Sequence, residues 1–361
     1  MTLCVAWIRV GQNDEGEELV FGTDSRLRGG EKWDSGIKLF DLGRSDCLLC
    51  FAGDTQRAYP LILHGSNSFR SHVAWSNPQL DLYDVLDLLC KLFTDLCNSI
   101  GDLPTRMTLH TEIAKAQFLF GGWSWREQKF GIWKLYYSEE LKAFTHDAQN
   151  PQATNVRVFA FLGDYVDEAE QLLEDDLHIS RRALRYALDM EPLRVLARMA
   201  RDDSKYDSIG GALQVAKVYR SGHNEFFGIM WPSTEGGKPA FLGRDLNPYD
   251  APPMRFIDPD TADFVETLPD SFIDIDNYDF GNETIFVRDC YQGQKLKRDL
   301  REAQRDRLKR IFKDLAYRDF LARREIAGNI AVEVGANRPN NTDASQKEME
   351  GIKFEEGIAD E

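Results

Sequence analysis

The chain has 361 residues, of which 42% are hydrophobic and 29% charged, a composition typical of a globular protein with a large core. Its formal net charge of -16 argues against the whole chain being a nucleic-acid or anionic-membrane binder. The sequence contains neither an apolar run long enough for a membrane helix nor a signal-peptide pattern at its start, so we expect a cytoplasmic protein that does not bind membranes.

The first part of the sequence predicts two β-hairpins. Segments rich in apolar and β-branched residues alternate with polar turns, as paired antiparallel strands do. The predicted strands span residues 3–10, 18–25, 38–41 and 46–53. Cys47 and Cys50 have a spacing that puts their thiols on opposite faces of the last strand. We therefore interpret them as packing residues and not as half of a metal site.

Two helices and a second group of strands are predicted next. Asp54 is a typical N-cap residue and predicts a helix start. Pro60 predicts that this helix is kinked or short. Residues 81–101 carry apolar side chains with a 3.6-residue period, which predicts a long amphipathic helix. The strands predicted after it span residues 116–124, 130–137 and 156–163.

The same order of elements recurs further along the chain. We predict helices near 165–176 and 179–201, the second kinked at Pro192, and strands at 212–219 and 224–231. Runs of strands separated by pairs of helices predict two stacked, mostly antiparallel sheets with helices on both outer faces. The predicted fold class is therefore α+β, as a four-layer α-β-β-α sandwich over residues 2–231.

The last third of the sequence differs in composition. Residues 232–256 are rich in Pro and Gly, which is typical of a connector. Residues 257–332 combine an acidic segment with a basic amphipathic helix predicted over 294–325, where twelve Lys and Arg stand against six Asp and Glu. Residues 333–361 are acidic and polar and are predicted to be disordered. We expect a C-terminal helical appendix that packs on the core or on another subunit rather than on nucleic acid.

Four residues near the start of the chain suggest chemistry. An N-terminal threonine can use its own α-amine as a general base, and Thr2 would become N-terminal once Met1 is removed. Asp24 lies in GTDSR after the second strand, Lys38 opens the third, and Gly53 ends the fourth at a helix start. Each residue alone also fits an ordinary surface or turn position.

Together, MTLCVA, GTDSR, D-x-x-x-K and AG at a strand-to-helix junction resemble the N-terminal half of proteasome β-type subunits, and most closely the bacterial proteasome-related Anbu proteins. The resemblance covers about residues 2–231 and includes DSIGG at 207–211. It implies an N-terminal-nucleophile hydrolase fold, a threonine-type peptidase that acts on a peptide or protein, and assembly into a ring or an open helical ring. It implies no metal or organic cofactor, and it leaves an unidentified ATPase partner open.

The resemblance also assigns roles to the candidate residues. Lys38 would stabilise the alkoxide of Thr2 and the charge that follows its attack. Asp24 would keep Lys38 charged and oriented. The backbone N–H of Gly53 would form the oxyanion hole, at the start of a helix whose dipole adds to the effect.

The sequence departs from the family pattern in two places. The first hairpin turn is longer than is usual. In addition, the family has a Ser-Gly-Ser segment after the strand that ends at residue 163, and its serine binds the threonine amine, whereas this chain has GDY. Ser208 with Asp203 or Asp207 is expected to supply a second supporting pair. Asp164 is an alternative acceptor in place of the missing serine.

Two classes of function remain open on the sequence alone. One is a threonine amidohydrolase, either a peptidase or a small-amide acylase. The other is a catalytically silent proteasome-like subunit that keeps the fold for assembly or for binding a partner. The presence of both Asp24 and Lys38 favours the enzyme, and the missing Ser-Gly-Ser segment favours the silent subunit.

Overall fold

A computed structural model gives the architecture of the chain. It describes residues 2–10, 16–29, 31–77, 79–101, 112–149, 157–179, 188–234, 236–246, 254–265, 275, 278–292 and 295–297, with separate residues between 300 and 315. The chain divides into two compact units, Met1–Asp274 and Ile275–Glu361. Among the described residues, no helix combines the length and the apolar character that crossing a membrane requires.

The first unit is a mixed α/β structure. Its strands are β1 (Leu3–Val10), β2 (Glu17–Thr23), β3 (Leu27–Arg28), β4 (Lys32–Trp33), β5 (Leu39–Phe40), β6 (Cys47–Gly53), β7 (Ala116–Ser124), β8 (Lys129–Ser138), β9 (Ala143–Ala148), β10 (Phe159–Gly163), β11 (Gln214–Tyr219), β12 (Asn224–Trp231), β13 (Lys238–Phe241), β14 (Arg244–Asp245) and β15 (Phe256–Ile257). Its helices are α1 (Thr55–Ser71), α2 (Val73–Ser76), α3 (Leu82–Asn98), α4 (Val166–Ile179) and α5 (Glu191–Arg201).

These strands form two main sheets. The first has the order β10-β1-β2-β11-β12-β13-β14, and β15 pairs with β12. The second has the order β5-β6-β7-β8-β9. The neighbours within both orders are antiparallel, and the pairing of β12 with β15 is parallel. The prediction of mostly antiparallel sheets is therefore confirmed, and β1, next to the edge strand β10, has hydrogen-bonded partners on both sides.

Three apolar clusters hold these elements together. The first joins one face of β1, including Leu3 and Trp7, to α4 and α5. The second joins the opposite face of β1 to β6 and β7, with Cys4 and Leu48 among its members. The third packs the other face of β6 and β7 against α1 and α3. Strands buried on both faces have continuous apolar sequences, which is why LCVAW and CLLCFA lack the polar alternation of surface strands.

The two cysteines of β6 lie as the sequence predicts. Cys47 belongs to the cluster with α1 and α3, whereas Cys50 belongs to the cluster shared with β1. Both side chains are buried and both thiols are free. Burial raises the pKa of the Cys50 thiol well above its ordinary value, which disfavours a reactive thiolate. Their role in packing is confirmed.

The structure contradicts a shortened helix at Pro60 and a helix kinked at Pro192. Pro60 does not shorten its helix, because α1 continues to Ser71 and buries apolar residues on both sides of the proline. Pro192 does not kink a helix that starts near residue 179. It lies in the first turn of α5, where a missing N–H has no intrahelical partner to lose. Residues 180–187 of the predicted helix lie outside the described residues.

The C-terminal segments are described only in part. The first sheet continues as β13 and β14 into residues 232–256, the segment predicted to be a connector. The second unit contains a 3₁₀ turn (Gly281–Glu283), α6 (Thr284–Cys290), β16 (Tyr291–Gln292) and β17 (Lys295–Leu296). Most of the predicted helix 294–325 and all of 333–361 lie outside the described residues.

Candidate active site

The four candidate residues of the N-terminal half lie at the ends of strands. Thr2 precedes β1, Asp24 follows β2, Lys38 precedes β5, and Gly53 ends β6. Thr2 is 1% exposed, and Asp24 and Lys38 are both 0% exposed. A polar group this deeply buried must be paired, so their partners define the site.

The carboxylate of Asp24 is the centre of the group. Its Oδ1 accepts hydrogen bonds from Lys38 Nζ at 2.8 Å and from the Leu3 N–H at 3.1 Å. Its Oδ2 accepts from the N–H groups of Arg26 and Gly210, both at 3.0 Å. Four donors compensate the desolvation of this anion. Because Lys38 and Leu3 share one oxygen, the ammonium group is held beside the start of β1.

A buried glutamine fixes the backbone at Lys38. Gln214 Oε1 accepts from the N–H groups of Lys38 and Leu39 at 2.9 and 3.1 Å, and Gln214 Nε2 donates to the Gly36 carbonyl at 2.6 Å. Gln214 is the first residue of β11 and is fully buried. Sequence reasoning missed this residue, although an amide in the apolar run ALQVAKVY was a signal.

Thr2 lies at the point where β1 leaves β10. The register pairs Leu3 with Gly163, so Thr2 is opposite Asp164, whose N–H donates to the Thr2 carbonyl at 2.8 Å. Alternation from Cys4, which packs between the two sheets, indicates the same inner face for the Thr2 side chain.

The hydroxyl of Ser208 donates to Asp164 Oδ2 at 2.5 Å. The sequence predicts Asp203 or Asp207 as the partner of Ser208 and Asp164 as a separate acceptor, whereas the structure pairs Ser208 with Asp164. The backbone N–H of Asp164 binds the Thr2 carbonyl, so this pair is linked to Thr2 through the main chain of Asp164. Asp164 directly follows β10, where the resemblance leads us to expect a serine.

The carboxylates of Asp207 and Asp203 have other partners. Asp207 Oδ2 accepts from Arg28 at 2.7 Å, and Asp203 Oδ2 accepts from Lys32 at 2.6 Å. Both side chains are largely exposed. The structure therefore does not place Asp207 in the group around Asp24, and its proposed role stays a prediction.

Gly53 combines an unusual backbone with a helix start. Its φ of +103° lies in the region that favours glycine, and a Cβ there would overlap the carbonyl oxygen of Lys115. The next residue, Asp54, is the N-cap of α1, and its carboxylate accepts from the Gln56 N–H at 2.8 Å. The predicted N-cap is confirmed, and the N-terminus of α1 directly follows Gly53.

A second glycine lets the two sheets meet at this point. Gly163 has a φ of +119°, and a Cβ on it would overlap the Thr2 carbonyl oxygen and crowd the methyl group of Ala52. The backbone end of β6, at Ala52 and Gly53, therefore lies against the strand pair that carries Thr2. In the part of the chain that the structure describes, no group of three or more His, Cys, Asp or Glu side chains is placed to hold a metal ion.

Comparisons with known proteins give matches among solved structures alone. No protein-family model and no curated protein matches the chain. A Gly-1 mutant of Anbu from Hyphomicrobium sp. strain MC1 is similar with a TM-score of 0.41 and 15% identity, over 63% of this chain and 87% of that one. A helical assembly of the Anbu complex from Pseudomonas aeruginosa is similar with a TM-score of 0.43 and 21% identity, over 62% and 82%. The likeness to Anbu proteins predicted from the sequence is found again, but neither match assigns an activity to this chain.

Proposed function

We propose that this chain is an N-terminal threonine amidohydrolase in which Thr2 is the nucleophile after Met1 is removed. The observation that carries the proposal is the fully buried Lys38–Asp24 pair, joined at 2.8 Å, whose carboxylate also binds the first peptide of β1. A buried ion pair contributes little net stability compared with apolar packing. Its position at the start of β1 is therefore better explained by chemistry on Thr2 than by folding.

In the proposed reaction the Thr2 hydroxyl attacks the carbonyl carbon of an amide. The free α-amine of the same residue takes the hydroxyl proton and later delivers a proton to the leaving amine. The product is an ester of Thr2. Water then attacks this ester with the amine again as base, which releases the acid and restores the hydroxyl. No metal or organic cofactor enters this scheme.

Two groups would stabilise the negative charge of these steps. The Lys38 ammonium favours the alkoxide form of Thr2, and Asp24 orients that ammonium through a hydrogen bond of 2.8 Å. The oxyanion would be bound by the backbone N–H of Gly53, next to the N-terminus of α1. The contact of β6 with the strand pair at Gly163 supports this assignment.

The Ser208–Asp164 pair is proposed to hold the amine of Thr2. A carboxylate beside an ammonium group stabilises its charged form and orients it. In this proposal Asp164 replaces the serine that the family pattern has at this place, so the altered segment is a substitution of function and not a loss.

Finer features of the fold and assembly belong to the same proposal. The three apolar clusters support a four-layer α-β-β-α sandwich, because each cluster joins two successive layers. We further propose a proteasome-like, self-assembling cytoplasmic peptidase that cleaves peptides or proteins, with an ATPase partner left open. The helical assembly of the similar Anbu complex supports a homo-oligomer.

One observation favours the second candidate, a catalytically silent subunit that acts as a scaffold. Thr2 is 1% exposed in a chain that still carries Met1, so its hydroxyl is closed to a substrate in that form. A silent subunit would keep this form.

Intact-mass analysis of untagged protein tests the proposal, before and after incubation with a peptide epoxyketone. We expect loss of Met1 and one adduct on Thr2. Thr2→Ala should assemble, as judged by light scattering, and remain unlabelled, whereas Thr2→Ser keeps a nucleophile and should react. An adduct on Cys4 or labelling of Thr2→Ala would falsify the proposal. Retention of Met1 without labelling would favour the silent subunit.

A further inference from the structure

A buried arginine lies between the Asp24–Lys38 pair and the Ser208–Asp164 pair of the candidate site. Arg26 is 3% exposed, although its guanidinium carries a full charge. It donates to Asp34 Oδ1 and Oδ2 at 2.7 and 3.0 Å, which raises the pKa of the guanidinium above its ordinary value. The remaining acceptors are backbone carbonyls and one carboxylate, namely Asp207 O at 3.0 Å, Ile209 O at 3.0 Å and the side chain of Asp203.

The two carbonyls belong to one turn, residues 207–210. This turn supplies one hydrogen-bond donor to Asp24 and another to Asp164. The Gly210 N–H binds Asp24 Oδ2 at 3.0 Å, and the Ser208 hydroxyl binds Asp164 at 2.5 Å. A shift of the turn would therefore disturb both Asp24, which binds Lys38, and Asp164, which binds the Thr2 carbonyl.

The guanidinium also packs directly on the turn. A Cβ on Gly210 would overlap the guanidinium carbon and one terminal nitrogen of Arg26, so the contact requires glycine at this position. On the other side, the Ser25 N–H donates to the Gly210 carbonyl at 3.0 Å. The turn is thus held between the backbone after β2 and the arginine side chain.

Arginine suits this place for a geometric reason. Its planar fork presents five N–H donors in fixed directions, and here they bind two backbone carbonyls and two carboxylates at once. A lysine has the same charge but donates from a single nitrogen and cannot span these acceptors. Positive charge alone therefore does not explain why position 26 is an arginine and not a lysine.

We infer that Arg26 is a positioning residue for the proposed catalytic site, acting through the 207–210 turn on Asp24 and on Ser208. The inference rests on the proposed function of Thr2. Arg26 is not proposed to contact the substrate. Its role is to fix the position of the Asp24–Lys38 pair relative to Asp164.

The test compares four variants of the full chain. Arg26→Met removes the hydrogen bonds of the guanidinium to the 207–210 turn, and Arg26→Lys keeps the positive charge. Gly210→Ala places a methyl group where the guanidinium lies. Arg28→Met is the matched control, because Arg28 binds the exposed carboxylate of Asp207 and none of the carbonyls. If Arg26→Met does not fold, Gly210→Ala and Arg26→Lys answer the same question.

The first readout is the rate at which the peptide epoxyketone labels Thr2. We expect Arg26→Met and Gly210→Ala to react about 100-fold more slowly, the loss typical of a shift of about 1 Å in a catalytic group. Arg26→Lys should recover only part of the rate, and Arg28→Met should match the wild type.

The second readout is hydrogen exchange of the peptide that covers residues 207–213, measured by mass spectrometry. Arg26→Met should exchange faster there than Arg28→Met. Wild-type rates of labelling and exchange in Arg26→Met would overturn the inference. If the wild type itself is not labelled, the proposed function fails. In that case faster exchange in Arg26→Met still supports the conclusion that Arg26 holds the 207–210 turn, and unchanged exchange refutes it.

Discussion

The buried charge pair gives the most demanding prediction. In Lys38→Met, the Asp24 carboxylate keeps three N–H donors, from Leu3, Arg26 and Gly210. Asp24→Asn is more severe, because one acceptor oxygen becomes an NH₂ group. In either orientation that group faces two donors, which then have no acceptor.

These contacts set the expected magnitudes. Removing one partner of a buried pair costs about 3–5 kcal/mol of unfolding free energy. We expect about 3 kcal/mol for Lys38→Met and about 5 kcal/mol for Asp24→Asn, at the two ends of this range. The double variant should cost no more than Asp24→Asn alone, because the unpaired cation is gone. The coupling is then about 3 kcal/mol, at the top of the range for contacting residues.

Urea unfolding followed by tryptophan fluorescence measures these values, and the rate of Thr2 labelling is measured on the same preparations. Labelling should be lost in both single variants and be no worse in the double variant. The exposed pair Arg70–Asp41 is the control, at 2.9 Å and with side chains 58% and 38% exposed. Its variants should change stability by less than about 1 kcal/mol and additively. Additive losses at Asp24 and Lys38 would refute the view that they act as one unit.

Two further predictions concern the backbone donor and the amine. Gly53→Ala should lower the labelling rate of Thr2 about 100-fold or more, the effect of losing one oxyanion donor, because its Cβ would overlap the Lys115 carbonyl. Gly16→Ala is the matched control, since Gly16 also has a positive φ, of +80°, but open space around it; equal losses in both would indicate general instability instead. Asp164→Asn should shift the acid limb of the pH–rate profile to lower pH, because an ammonium group that loses a nearby carboxylate gives up its proton more readily. An unchanged profile would remove Asp164 from the amine site.

Much of the fold was predictable because its central strands are buried on both faces. Strands β1, β6 and β7 are short apolar runs whose length favours a strand over a helix, and they lie where the sequence predicts them. Strand β9 (Ala143–Ala148) was missed. It is an edge strand with partly exposed polar residues, and its conformation comes from pairing with β8 rather than from its own composition.

The site was predictable only where its residues are close in sequence to a strand end. Asp24, Lys38 and Gly53 are recognisable because each adjoins a short motif. The roles of Gln214 and Arg26 were not, because they depend on contacts between distant segments. Gln214 binds Lys38 across 176 positions and Arg26 binds Ile209 across 183, which no local pattern encodes. The partner of Ser208 was ambiguous for the same reason.

The pairing of β1 on both sides has a practical consequence for how the protein is prepared. Most chain ends leave a domain at its edge, where an added affinity tag does little harm. Here Leu3 begins a strand that is paired on both sides, with β2 and with β10. A tag fused at this end would convert the proposed amine base into an amide. Such a preparation would fold and yet be unreactive, so a vector with the tag at the other end, or with a leader cut directly before Thr2, is the appropriate one.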